Sequence, residues 1–243
     1  MSTRPVPKAG AFLALAFFVV YRYNIKLVSY DYSAKSAERR TLMQPEKTNR
    51  LFLVMGKSAT GKDHIYKALL EKQIGLVPVV PYTTRPMRET EAEGVEYHFL
   101  TAGQMEALDK EGKIIERRCY QTVMGPWYYM TVDDGQIDLT AHSSLLIVTP
   151  EAYGKLRDYF GKDYTVPIYI ESPDAERLKR SIKREEKQEK PVFAEVCRRY
   201  LADEQDFSEE VLTDLGITKR FENIDFDACV QEVAEYIKET AGI

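Results

Sequence analysis

Residues 53–65 read LVMGKSATGKDHI, with Gly56 and Gly61 five positions apart and Lys62 directly after the second glycine. Glycines at this spacing let a loop curl tightly enough for its backbone N–H groups to converge on a phosphate, while the lysine reaches the outer oxygens. The expected triphosphate cradle comprises Gly56, Lys57, Ser58, Ala59, Thr60, Gly61, Lys62, Asp63 and His64. Asp63 stands where this pattern normally places the hydroxyl of a serine or threonine. Magnesium keeps several waters and tolerates a carboxylate near its shell, so Asp63 is expected to hold Mg²⁺ through water. ATP and Mg²⁺ are the implied substrate and metal.

A second phosphate-bearing substrate would need planar, bidentate donors. Residues 82–99, YTTRPMRETEAEGVEYHF, offer Arg85 and Arg88 three residues apart and the phenol of Tyr97. This stretch resembles the monophosphate-binding segment of the guanylate kinase family, T-T-R-x-x-R-x-x-E-x-x-G-x-x-Y-x-F. Thr84, Arg85, Arg88, Glu91, Gly94, Tyr97 and Phe99 fall in register, and the resemblance extends over about residues 50 to 240. It implies that Arg85, Arg88 and Tyr97 bind the GMP phosphate next to Thr84. Glu91 would accept from the nucleotide or fix an arginine.

The resemblance carries further residues. In EGKIIERRCY (111–120), Glu116 matches the glutamate that accepts from N1–H and the 2-amino group of guanine. The following family segment, G-N-Y-Y-G, is replaced by the longer QTVMGPWYYM, with Tyr129 as the acceptor-site tyrosine. Pro81 and Tyr82 replace small hydroxyl residues, and the strand-end aspartates after SLLIVT are missing. These departures imply a remodelled base pocket. AERLKRSIKREEKQ (175–188) resembles the kinase lid and EVCRRYLAD (195–203) the helix after it, which makes Arg180, Arg184 and Arg199 the expected stabilisers of the transferring phosphoryl group. Asn223, in ENIDFDACVQEVAEYI, is expected near the adenine or as a helix cap, a task that Asp225 or Asp227 could also perform.

These residues need a scaffold. LFLVM (51–55) reads as a buried strand, and KDHIYKALLEKQ (62–73) as a helix with Ile65, Ala68, Leu69 and Lys72 at helical spacing. Apolar runs at 76–80, 144–149 and 165–170 alternate with helical stretches, the pattern of βα units around a parallel sheet. The expected fold is an α/β, three-layer P-loop kinase with a central parallel sheet, a small inserted mixed α/β monophosphate-binding region and a helical lid. Residues 49–82 and 143–243 would form the core, 83–142 the insertion and about 175–192 the lid.

The 243 residues carry 34 basic and 38 acidic side chains, for a net charge of −4, so no basic stripe for nucleic acid is expected. Three isolated cysteines suit reduced thiols in a cytoplasmic protein. Residues 1–48 read as an apolar extension and linker. The uncharged run at 9–21 would span about 20 Å as a helix, short of the hydrocarbon core, so membrane contact would be a tether and not a span. The expected activity is transfer of phosphate from ATP to GMP or dGMP by a monomer or homodimer. The alternatives are a related phosphokinase acting on ribose 1,5-bisphosphate or another monophosphate, and a non-catalytic peptide-binding scaffold.

Overall fold

The computed structural model describes residues 49–89, 91–122 and 124–242. The expected extension at 1–48 and the apolar run at 9–21 lie outside the described residues.

Five parallel strands form the central sheet in the order β2, β7, β1, β8, β9, with β1 Leu51–Met55, β2 Leu76–Pro78, β7 Ser143–Ile147, β8 Thr165–Glu171 and β9 Arg220–Glu222. β1 lies at the centre, pairing Leu51 with Ser144 on one side and with Thr165 on the other. All five of its side chains are buried, as a parallel strand covered on both faces requires. Its side chains alternate between two cores. Leu51, Leu53 and Met55 join Leu146, Leu156 and Phe160 on one face. Phe52 and Val54 join Ile65, Leu69, Val233 and Ile237 on the other.

Helices supply the outer layers. The second core takes Ile65 and Leu69 from α1 (Lys62–Glu71) and Val233 and Ile237 from α7 (Phe226–Ala241). The first takes Leu156 and Phe160 from α3 (Pro150–Phe160) and Leu212 from α6 (Glu209–Asp214). Lys72, expected on the apolar face of the first helix, is exposed and lies at its end.

Two expected strands are trimmed for visible reasons. The run at 76–80 leaves the ladder after Val79, whose N–H still donates to Leu145 O at 3.0 Å, because the Val80 N–H turns aside to the Gln136 side chain at 2.8 Å. The run at 144–149 ends at Ile147 because Thr149 caps α3, accepting from Ala152 N at 3.3 Å, with Pro150 in the first turn. Proline there costs no hydrogen bond.

A second sheet, ordered β4, β3, β6, β5, is built from β3 Tyr82–Thr83, β4 His98–Phe99, β5 Ile114–Thr122 and β6 Gly125–Val132. Tyr82 therefore already belongs to this smaller unit. Helix α2 (Ala102–Lys110) opens with a capping box between Thr101 and Gln104 and packs Met105 against Ile114, Met130 and Val132. The antiparallel β5–β6 pair carries a bulge between Ile114 and Glu116. Across it, Ile114, Ile115 and Glu116 are all buried in succession, and Glu116 comes opposite Thr131. Beyond the central sheet lie α4 (Asp174–Glu185) and α5 (Phe193–Asp206), which pack on each other.

Candidate active site

The loop from Gly56 to Gly61 joins the end of β1 to the start of α1, as the spacing requires. A side chain at Gly56 would place Cβ 2.6 Å from Ile170 O, and one at Gly61 would meet the Asn223 amide at 2.4 Å. Gly61 also takes φ +91°, and Ala59 holds φ 63°, so two left-handed residues bend the loop within three positions. The N–H groups of Gly61, Lys62 and Asp63 find no acceptor among the described residues. They form the open N-terminus of α1, where backbone donors and the helix dipole favour an anion. Lys62 Nζ lies 3.5 Å from the exposed Asp63 carboxylate. His64 is placed differently from the rest of the expected cradle: its N–H turns back to Gly61 O at 3.0 Å and its side chain is exposed.

Three residues hold the loop from behind. Asn223 is buried, and its Nδ2 donates to Thr60 O at 2.7 Å. Ser172 Oγ reaches the same carbonyl at 3.3 Å. Asp203 accepts from Ser58 N at 2.7 Å. The amide of Asn223 thus supports the phosphate loop, and Asp225 caps α7 by accepting from Ala228 N at 2.9 Å.

In the second sheet, Arg85 is buried and gripped by Glu91, Nη1 and Nη2 each donating at 2.8 Å. Of the two readings for Glu91, the chain's own contacts match the fixing of an arginine. This bond holds the Glu91 carboxyl below its usual range and raises Arg85. Arg85 Nε is buried with no hydrogen-bond partner among the described residues, and its guanidinium lies 5.3 Å from the centre of the Tyr97 ring. Arg88 gives its N–H to Glu91 at 2.9 Å and exposes a guanidinium that has no partner among the described residues. Tyr97 packs edge-on to Tyr129 at 5.7 Å. Burial, then Tyr129, push its phenol up, Arg85 and Arg118 oppose this, and Asp63 adds to it. Thr84 is engaged in strand pairing, its Oγ1 accepting from Tyr128 N at 3.0 Å.

Glu116 is placed deep in the same unit. Arg118 Nε and Nη2 donate to its two oxygens at 3.0 and 3.2 Å, and Thr131 Oγ1 donates at 2.9 Å. The sequence reading singled out neither Arg118, two positions along the same strand, nor Thr131, which only the bulge and the hairpin register bring opposite Glu116.

The lid arginines converge in part. Arg184 and Arg199 line one crevice with Ser58 of the phosphate loop, together with Arg177, Ser181 and Tyr200. Arg199 Nε has no hydrogen-bond partner among the described residues, Glu195 Oε1 standing 3.6 Å away. Arg180 lies outside that group and approaches Ala59 O at 3.5 Å. Sequence reasoning also missed Arg177. It is buried, its guanidinium sits 4.5 Å from the Tyr200 ring centre, and it pairs with Asp174 at 2.7 Å, Asp203 at 3.4 Å and Glu204. Glu204 also holds Lys57 at 2.9 Å. The signal available was spacing: Arg177, Ser181 and Arg184 share one helical face.

The donor set fits a nucleotide triphosphate with its metal: unpaired N–H groups at a helix start, one lysine, and one exposed carboxylate beside it. Among the described residues no cluster of three or more metal-binding side chains occurs. No helix of the described residues is long and apolar enough to cross a membrane.

The protein-family model described as guanylate kinase matches residues 48–240. The guanylate kinase of Chromohalobacter salexigens is 31% identical over 137 residues, 56% of this chain and 61% of that protein, so the match spans about three-fifths of the relative's length. Protein PALS1 of Danio rerio is 28% identical over 218 residues, 88% of this chain and 30% of that one. MAGUK p55 subfamily member 7 of Danio rerio is 32% identical over 133 residues, 54% of this chain and 22% of that one. Among solved structures, guanylate kinase from Anaplasma phagocytophilum superimposes with a TM-score of 0.53 at 21% identity, covering 79% of this chain and 87% of the other, a likeness of fold. With its sequence matched from residue 48 to residue 240, the chain belongs to the guanylate kinase family.

Proposed function

We propose that this domain transfers the γ-phosphoryl group of ATP to GMP or dGMP, giving ADP and the nucleoside diphosphate. The observation that carries the reading is the pairing of two phosphate-binding arrays. One is the open N-terminus of α1 with Lys62. The other is exposed Arg88 beside the anchored Arg85, whose guanidinium lies 5.3 Å from the centre of the Tyr97 ring.

An oxygen of the acceptor phosphate attacks the γ-phosphorus as the bond to the β–γ bridging oxygen breaks, and ADP leaves. No general base is required, since the attacking oxygen is already anionic. Lys62 and the α1 N–H groups neutralise the donor phosphates, and Arg85, Arg88 and Tyr97 fix the acceptor. Arg180, Arg184 and Arg199 meet the charge spread over the transferring group. Asp63 would hold Mg²⁺, which supplies further charge neutralisation when bound. Tyr129 backs Tyr97, and Glu116 reads the base. Asn223 acts on ATP through Thr60 and Gly61.

The similarity to PALS1 and MAGUK p55 subfamily member 7 favours a second reading, a peptide-binding scaffold without catalysis. The complete glycine loop and Lys62 weigh against it, and a ribose bisphosphate kinase would have no use for Glu116.

ADP release measured across GMP, dGMP, AMP, CMP, UMP and ribose 1,5-bisphosphate tests the proposal. GMP and dGMP should be turned over best, and Lys62→Ala should lower kcat by about a hundredfold or more, the scale of removing one preorganised donor from a developing charge. Near-normal turnover by Lys62→Ala, or no turnover of any monophosphate, would overturn it.

A further inference from the structure

Glu116 has a partner already, and the chemistry of that partner is informative. Guanine presents its N1–H and 2-amino group as two near-parallel donors on one N–C–N unit. Arg118 presents Nε–H and Nη2–H to Glu116 in the same arrangement, at 3.0 and 3.2 Å. A carboxylate offers about four acceptor positions. Arg118 takes two and the Thr131 hydroxyl a third, at 2.9 Å.

The pair is formed locally. Residues 116 and 118 lie two apart on β5 and so share a face of the strand. Arg118 is steadied at its other end, Nη1 lying 3.4 Å from Thr149 Oγ1 at the start of α3. The Glu116 side chain is wholly buried, whereas that of Arg118 retains 13% exposure, which makes the arginine the outward member of the pair. Burial opposes the guanidinium charge, but Glu116, Tyr120 and Glu151 outweigh it.

We propose that Arg118 is an internal competitor for the base-reading carboxylate, a residue that sets base specificity by occupying Glu116 where the guanine edge would dock. The proposal rests on the nucleotide kinase reading above and deepens it. Guanine must displace Arg118 before Glu116 can accept from both donors. With Arg118 in place, the carboxylate cannot distinguish a purine that carries the 2-amino group from one that lacks it.

IMP, which has N1–H but no 2-amino group, is the probe. The ratio of GMP to IMP should be measured both as kcat/KM with ATP and as equilibrium affinity by calorimetry. In the unaltered chain it should stay within about threefold. Arg118→Ala should raise it about tenfold or more, the size of one hydrogen bond to a charged group gained or lost. Arg118→Lys keeps a cation beside the buried carboxylate but loses the fork, and should raise the ratio by an intermediate amount even if the alanine variant folds poorly. Adding Glu116→Gln to either variant should bring the ratio back down. A ratio already above tenfold in the unaltered chain and unmoved by both substitutions would overturn the proposal. Binding ratios that shift as expected without any turnover would uphold the competition and sink the kinase reading. Failure of every variant to bind either nucleotide would sink both.

Discussion

Arg85 and Arg88 stand three residues apart and differ in what they touch. Arg85 is buried and locked by Glu91, with Nε left over, whereas Arg88 exposes a guanidinium that has no partner among the described residues. A hydrogen bond to a charged group contributes about 1.5–3 kcal/mol, so Arg88→Ala should raise the acceptor KM by about ten- to a hundredfold, with a smaller effect on kcat. An unchanged KM in steady-state assays would remove Arg88 from the acceptor site. The Arg85–Glu91 bond should also be visible in acid. Its carboxyl is depressed by the arginine, so the contribution to stability is fully present above the ordinary glutamate value of about 4.3 and is lost as pH falls through the lower folded value. Melting temperatures followed from pH 6 to about 3 should therefore fall more steeply in the unaltered chain than in Glu91→Gln. Parallel curves would show that the pair contributes no linkage.

At the scale of elements, α4 and α5 are joined to the phosphate loop through one charged cluster. Arg177 on α4 is nearly inaccessible, and two of its carboxylate partners, Asp203 and Glu204 on α5, also hold Ser58 N and Lys57 Nζ. Removing one member of a buried pair strands the others, although the partial exposure of Glu204 reduces the penalty. Arg177→Met should cost about 1–3 kcal/mol of stability and raise the KM for ATP, because the carboxylates that shape the loop lose their countercharge. A double-mutant cycle with Asp203→Asn, read by denaturant unfolding and by ATP affinity, should give a coupling above about 0.5 kcal/mol in both. Coupling in stability alone would make the cluster a brace for the lid with no influence on the loop.

At the scale of the whole molecule, the proposed donor site lies at the central sheet and the proposed acceptor site on the smaller one. A ligand joining adenosine and guanosine through five phosphates should raise the melting temperature more than ATP and GMP together at equal concentrations, since tethering makes the second binding event intramolecular. No added shift would mean that the two arrays cannot be bridged. The glycine loop, the strand and helix around it, and the Arg85 to Phe99 block were legible in the sequence because each is local: spacing alone places its residues on one turn, loop or strand. Lys57's partner, the support of Thr60 by Asn223, the burial of Arg177 and the approach of Thr131 to Glu116 were not. Each joins residues brought together by sheet register, a bulge or the packing of two helices, with separations such as 163 positions between Asn223 and Thr60. Residue type and spacing settled which groups can bind phosphate. Only the tertiary structure decided which charges are already satisfied within the chain, because a buried carboxylate takes as its partner whichever donor the fold brings within reach.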